Sequence, residues 1–342
     1  MDKNDVRKFY PPEGGSLDMK QVLVTGAGGF IGSHLTERCV EMGCRVRAFV
    51  HYNSSNRWGW LEESPHKKDL EVISGDIRDF DSVLRAAQGC DTIFHLAALI
   101  GIPYSYISPL AYIRTNVEGT YNILEASREL GVQNVIVTST SETYGTAQYV
   151  PIDENHPAVG QSPYAATKVA ADQLAQSYHL SFGLPVRIIR PFNTFGPRQS
   201  ARAIIPTVLS QILAGKRRIK AGNQQPTRDL TYVADTVSGF IAIAQAAALV
   251  GEATNIGMNE EIRIGDLIKL ISQVLGVEIE VEGDEGRMRP DQSEVMQLRC
   301  DNSKIKKHTP WKPEYDLRRG IAETAEWLRA HTQFYKADLY NV

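Results

Sequence analysis

Tyr164 and Lys168, in the run Tyr-Ala-Ala-Thr-Lys, place a phenol and an ammonium four residues apart, hence on one face of a helix. A phenol with its ordinary pKa of about 10 is a poor base at neutral pH. A nearby cation favours the phenolate, and each unit of lowering corresponds to about 1.4 kcal/mol, so close charges in a dry cleft can supply a few units. The chemistry such a pair suits is removal of a proton from a substrate hydroxyl. Upstream, Thr140-Ser141-Glu142 adds hydroxyls and a carboxylate. In extended chain, side chains two apart share a face, so Thr140 and Glu142 are both expected to meet a substrate beside Tyr164. The alternative is that Glu142 caps the following turn.

These groups need a scaffold, and the first half of the chain has the pattern of one. Short apolar runs at 21–25, 45–50, 71–75, 92–97, 134–139 and 186–190 read as strands. Between them 81–88, 117–130 and 164–182 repeat apolar residues at helical spacing. The alternation predicts an α/β protein, a Rossmann-type doubly wound parallel sheet, whose ligands sit beyond the carboxyl ends of the strands. After Arg190 prolines punctuate the chain, and helices are expected at 205–214, 235–249, 264–275 and 317–331. We assign 19–193 and 231–257 to a dinucleotide-binding domain. A smaller, interleaved C-terminal substrate domain takes 194–230 and 258–335, and 1–18 is expected to be a flexible extension, with Met19 a conceivable second start.

The strongest local signal is Val22-Leu23-Val24-Thr25-Gly26-Ala27-Gly28-Gly29-Phe30-Ile31-Gly32. Gly26 permits the tight turn, Gly29 lets backbone approach a pyrophosphate, and Gly32 lets helix and strand pack closely, with Phe30 and Ile31 opening the helix. Asp76 and Ile77, closing the third strand, are expected to frame the adenine, although Asp76 also reads as a loop-capping carboxylate. Leu96, Ala97 and Ala98 let a cofactor lie against backbone, while His95 reads as a packed core histidine. The end of the second strand holds His51, Asn53 and Arg57 in place of the carboxylate that usually takes the ribose of NAD. The cofactor is therefore expected to be NAD(P), with NADP slightly favoured.

Composition excludes several classes. The 342 residues carry a formal net charge of −3, without the clustered Lys and Arg of a nucleic-acid or anionic-membrane binder. The short basic run at 216–220 reads as a solvated helix end. Four cysteines show neither disulfide density nor metal-ligand spacing, no apolar stretch is long enough to span a bilayer, and the N-terminus lacks a signal core. The expected address is the cytoplasm, with no metal, nucleic-acid or membrane partner.

From about 20 to 331 the sequence resembles the extended short-chain dehydrogenase/reductases that modify nucleotide sugars. The resemblance rests on Gly26/Gly29/Gly32, Thr140 four before Tyr144, Tyr164/Lys168, Pro191-Phe192-Asn193 and Arg228-Asp229-Leu230-Thr231-Tyr232-Val233. Thr140-Ser141-Glu142 is similar to the signature of the 4,6-dehydratases. The segments 196–202 and 50–60 look most like dehydratases acting on nucleotide-linked N-acetylglucosamine in the legionaminic-acid pathway. That likeness implies oxidation at C4 with Tyr164 as base, abstraction of the C5 proton by Glu142, loss of water from C6 and re-reduction there. A 4-keto-6-deoxy sugar would result. Ser141 departs from the Asp of the Thr-Asp-Glu group and leaves the proton donor for water open. The resemblance also implies that Asn193, Arg198, Arg228 and Arg289 hold sugar and diphosphate, and that the protein is a homodimer through 117–130 and 164–182; Asn116, opening the helix after the fourth strand, is expected to cap that helix and wall the substrate site. Three alternatives stand beside it: a sugar-nucleotide 4-epimerase, which Glu142 argues against; a UDP-glucuronate decarboxylase, which needs a further cation; and a cofactor-sensing regulator without turnover.

Overall fold

Residues 19–337 are described by the computed structural model; the extension expected at 1–18 lies outside them. Strands β1 (Gln21–Thr25), β2 (Arg45–His51), β3 (Leu70–Gly75), β4 (Thr92–His95), β5 (Asn134–Thr138) and β6 (Val186–Pro191) form in the expected places. They are followed by β7 (Asn193–Phe195), β8 (Arg218–Ala221), β9 (Thr227–Arg228), β10 (Leu230–Tyr232), β11 (Ala253–Ile256), β12 (Ile262–Arg263) and β13 (Glu280–Gly283). The central sheet has seven strands in the order β11-β6-β5-β4-β1-β2-β3, with every neighbouring pair parallel. The order reverses between β1 and β4, which opens a crevice at their carboxyl ends.

Strand residues alternate between two cores because both faces are covered. Val22, Val24, Val46, Ala48, Phe94, Ile136 and Ile189 face one cluster; Leu23, Phe49, Ile93, Val135, Val137 and Ile188 face the other. The helices are α1 (Phe30–Glu41), α2 (Phe80–Ala87), α3 (Ile102–Ile107), α4 (Pro109–Tyr112), α5 (Gly119–Leu130), α6 (Pro163–Phe182), α7 (Ile204–Leu213), α8 (Val233–Gln245), α9 (Ile264–Leu275), α10 (Ser303–His308) and α11 (Leu317–Ala330). A π-helical turn, Ile113–Glu118, joins α4 to α5. The small sheets β7·β10, β9·β12 and β8·β13 lie outside the central one.

Several elements differ from expectation: the helix expected at 235–249 ends at Gln245, and a separate 3-10 turn covers Ala247–Leu249. β4 stops at His95 rather than running to residue 97, because the amides of Leu96 and Ala97 both turn to the Thr25 hydroxyl at 3.1 Å. The seventh strand, β11, was not singled out, since Ala-Thr-Asn-Ile has too few apolar residues to announce itself.

Candidate active site

The glycine-rich turn has the shape its sequence requires. Gly26 has φ +69°, and a Cβ there would lie 2.9 Å from the Ala97 nitrogen. A Cβ on Gly32 would fall 2.1 Å from the Gly26 carbonyl oxygen, so helix and strand touch only because neither carries a side chain at this point. No side chain caps α1 at Gly29, which leaves the amides of its first turn, from Phe30 on, open at the positive end of the helix dipole. That arrangement fits a pyrophosphate. Gly28 was not assigned a task by sequence: its backbone meets Trp58 and Gly59, and the Trp60 amide donates to the Gly28 carbonyl at 3.0 Å. The β2–β3 connection thus backs the phosphate loop.

Several residues expected around the adenine half have other partners. Asp76 accepts from the Arg78 amide at 2.9 Å and pairs with its guanidinium at 2.5 Å, so its carboxyl is held below the usual range and it caps its own loop. Ile77 is buried and packs against Gly119 of α5. The Asn53 amide folds its own loop, donating to the carbonyls of His51 and Arg57 and accepting from the Arg57 amide. His51 is exposed beside Asp76, at 3.7 Å. His95 is a core histidine, bonded to Thr25 at 2.9 Å and Thr120 at 3.1 Å, and burial lowers its pKa to about 3.

The chemistry-bearing side chains converge beyond β5. Ser162 caps α6 by accepting from the Ala165 amide at 3.1 Å, with Pro163 as its first residue. This fixes the helix that carries Tyr164 and Lys168. Thr140 is not followed by extended chain: Ser141–Tyr144 is a 3-10 turn, and the Thr140 hydroxyl caps it by accepting from the Glu142 amide at 3.2 Å. The turn buries Ser141 and leaves Glu142 half-buried. Glu142 still acts electrostatically on both Tyr164 and Arg228, and its carboxylate makes no hydrogen bond or ion pair among the described residues.

Burial pushes the Tyr164 phenol well above its ordinary value; the Thr140 hydroxyl pulls it down, while Glu142 and Tyr112 push it further up. One helical turn on, the Lys168 ammonium donates to the Thr138 carbonyl at 2.5 Å. Burial lowers the Lys168 pKa to about 8, against the pull of Asp172.

The proposed anion-binding residues divide into two groups. Arg228 feels the charges of Glu142 and of Arg289, and Asn193 stands opposite Leu230, two residues on from Arg228. Arg228 donates to Glu294 at 3.0 Å and to the Thr227 carbonyl at 2.9 Å, and burial lowers its pKa. Arg289 approaches the same Glu294 oxygen at 3.6 Å. The Asn193 amide nitrogen and Arg289 Nη1 are buried without a hydrogen-bond partner, as donors awaiting an acceptor would be. Asn116 and Arg198 are engaged elsewhere. Asn116 is 1% exposed, and its amide clamps Leu99 through both backbone groups and reaches Thr167. Arg198 forks onto Glu37 of α1 at 3.0 Å and reaches Ser33 at 3.1 Å. Sequence reasoning missed Tyr112, whose ring meets Tyr164 edge-on at 6.3 Å, and Glu294; neither belongs to a motif.

The family model described as GDP-mannose 4,6 dehydratase matches residues 23–324. The chain is 34% identical to a UDP-glucose 4-epimerase of Mycolicibacterium smegmatis, over 92% of this chain and 100% of that one. It is 31% identical to a dTDP-glucose 4,6-dehydratase of Streptomyces antibioticus, over 92% and 94%. Among solved structures it resembles DesIV, a dTDP-glucose 4,6-dehydratase from Streptomyces venezuelae with NAD and TYD bound, with a TM-score of 0.82 and 28% identity over 92% and 99% of the two chains.

Proposed function

Since the chain belongs to the GDP-mannose 4,6-dehydratase family, within the extended short-chain dehydrogenase/reductases, we propose that it is a nucleotide-sugar 4,6-dehydratase. Its substrate in this reading is UDP- or GDP-N-acetylglucosamine and its product the 4-keto-6-deoxy sugar. Relatives of both kinds, dehydratases and 4-epimerases, match it at similar identity. The observation that carries the choice is the unpaired carboxylate of Glu142, electrostatically coupled to Tyr164 on one side and Arg228 on the other. A 4-epimerase oxidises and re-reduces one carbon and needs one base; elimination across C5 and C6 needs a second.

The dinucleotide, when bound, supplies a hydride acceptor and donor and a positively charged ring whose field favours the Tyr164 phenolate. The glycine turn and the open N-terminus of α1 hold its pyrophosphate. Tyr164 takes the proton of the C4 hydroxyl, with the Thr140 hydroxyl steadying its oxygen. Glu142 takes the proton from C5, which the C4 ketone has made acidic, and returns a proton to the hydroxyl leaving C6. Arg228, Arg289 and Asn193 hold the diphosphate and sugar, Arg by its planar fork. Arg57 and the missing carboxylate after β2 support NADP, whereas DesIV carries NAD; the mass of the co-purified dinucleotide decides between them. Tyr121, Leu180 and Phe182, exposed on α5 and α6, support a homodimer, which sedimentation tests.

Mass spectrometry of the sugar product tests the activity. Loss of one water from UDP- or GDP-N-acetylglucosamine is expected. Unchanged mass with inverted C4 makes it an epimerase, and loss of carbon dioxide from UDP-glucuronate makes it a decarboxylase.

A further inference from the structure

The cleft holds a carboxylate that the reaction above does not use. Glu294 lies opposite Arg228 because its flanks are fixed: the Thr227 amide donates to the Met296 carbonyl at 3.0 Å, and Val295 and Leu298 are buried with Tyr144 and Phe192. A turn, in which the Ser293 and Glu294 amides donate to the Pro290 carbonyl, brings Arg289 round to the same side. Ser293 secures this turn, donating to the Gln161 carbonyl at 2.8 Å and sharing a hydrogen bond with Tyr106 of α3 at 2.6 Å.

One Glu294 oxygen consequently serves both arginines, at 3.0 and 3.6 Å. The side chains of Arg228 and Glu294 are only 9% and 12% exposed, so neither charge can leave its partner for water. Two guanidiniums this close repel each other, and a carboxylate between them offsets that repulsion. The other carboxylate facing Arg228 is Glu142. Removing Glu294 therefore frees a buried cation to seek the nearest remaining acid, and that acid is the proposed base.

Resting on the dehydratase reading, we propose that Glu294 is a positioning residue: it braces Arg228 and Arg289 into one diphosphate clamp and holds the Arg228 guanidinium away from Glu142. Glu294 is engaged by the two arginines, so its effect passes through them to the base.

The test uses the full chain with its co-purified dinucleotide and the variants Glu294→Ala and Glu294→Gln. Calorimetry against UDP, GDP and dTDP identifies the diphosphate that binds wild type most tightly; its parent nucleoside is measured by competition. In Glu294→Ala that diphosphate is expected to weaken by about tenfold or more, and the nucleoside by less than about twofold. With UDP-N-acetylglucosamine, water loss slows by about tenfold while bound reduced nicotinamide builds up, because Arg228 now neutralises Glu142. Glu294→Gln keeps an acceptor oxygen and falls between; should the alanine variant not fold, it alone decides. Diphosphate binding that is unchanged or tighter overturns the brace, as does an equal loss of diphosphate and nucleoside. If wild type eliminates no water, the dehydratase reading fails while the binding arm still judges Glu294.

Discussion

The Lys168 ammonium donates to the Thr138 carbonyl at 2.5 Å, one helical turn beyond Tyr164. That contact ties α6 to the end of β5 and keeps the cation inside the protein, 4% exposed, near His95 and Asp172. Burial brings its pKa to about 8, so the ammonium is charged below that pH and neutral above it. The charged form stabilises developing phenolate, so activity is expected to fall as pH rises through about 8. Lys168→Met should cost about 10²–10⁴ in kcat and abolish that limb. A pH–rate profile of the two proteins checks this; an unchanged basic limb in the variant would exclude Lys168 as its source.

Thr140 serves two neighbours at once, the Glu142 amide and the Tyr164 phenol. Thr140→Val preserves volume and removes both interactions. Loss of the hydroxyl's pull leaves the phenol harder to ionise and the turn under Glu142 uncapped. We expect kcat to drop about 10–100-fold with KM within about twofold. A variant with raised KM and intact kcat would instead make Thr140 a binding group.

The glycine motif makes a contrast inside one helix–strand unit. Gly32→Ala inserts a Cβ 2.1 Å from backbone oxygen, which nothing nearby can yield to. Gly43→Ala meets no atom within 4 Å and carries only the strain of φ +83°. Dinucleotide content per purified chain should fall to near zero in the first and stay full in the second, which loses about 1 kcal/mol of stability.

Arg198 is expected to matter for folding rather than for substrate. Its fork onto Glu37 and Ser33 pins the segment after β7 to α1, with both charged side chains about nine-tenths buried. Arg198→Ala should lose roughly 2–3 kcal/mol in urea denaturation, because Glu37 is left buried and unpaired. The KM for nucleotide sugar should not change; a selective rise in KM at wild-type stability would return Arg198 to the binding site.

The central sheet was legible because its first six strands are short runs rich in apolar residues, alternating with helices that repeat apolar residues at helical spacing. β11 escaped for want of such a run. At the site, residue type was legible and partner was not. Asn116 and Arg198 both look like ligand contacts in sequence, yet each is engaged by a neighbour that only folding brings close, Leu99 and Glu37, while Asp76 pairs with Arg78 two residues on. The step from Thr140 to Glu142 was read as extended chain, whereas a capped 3-10 turn delivers the carboxylate to the same cleft. Glu294 lay outside every motif, since its significance comes from two arginines separated from each other in sequence.

Glu142→Gln offers the most direct test. Mixed in a single turnover with the nucleotide sugar that wild type dehydrates, the variant should still convert bound dinucleotide to its reduced form, seen by absorbance. The sugar should keep its full mass, because C4 is oxidised but C5 keeps its proton. Release of a sugar lighter by one water at the wild-type rate would contradict the account, for it would mean that another group removes that proton.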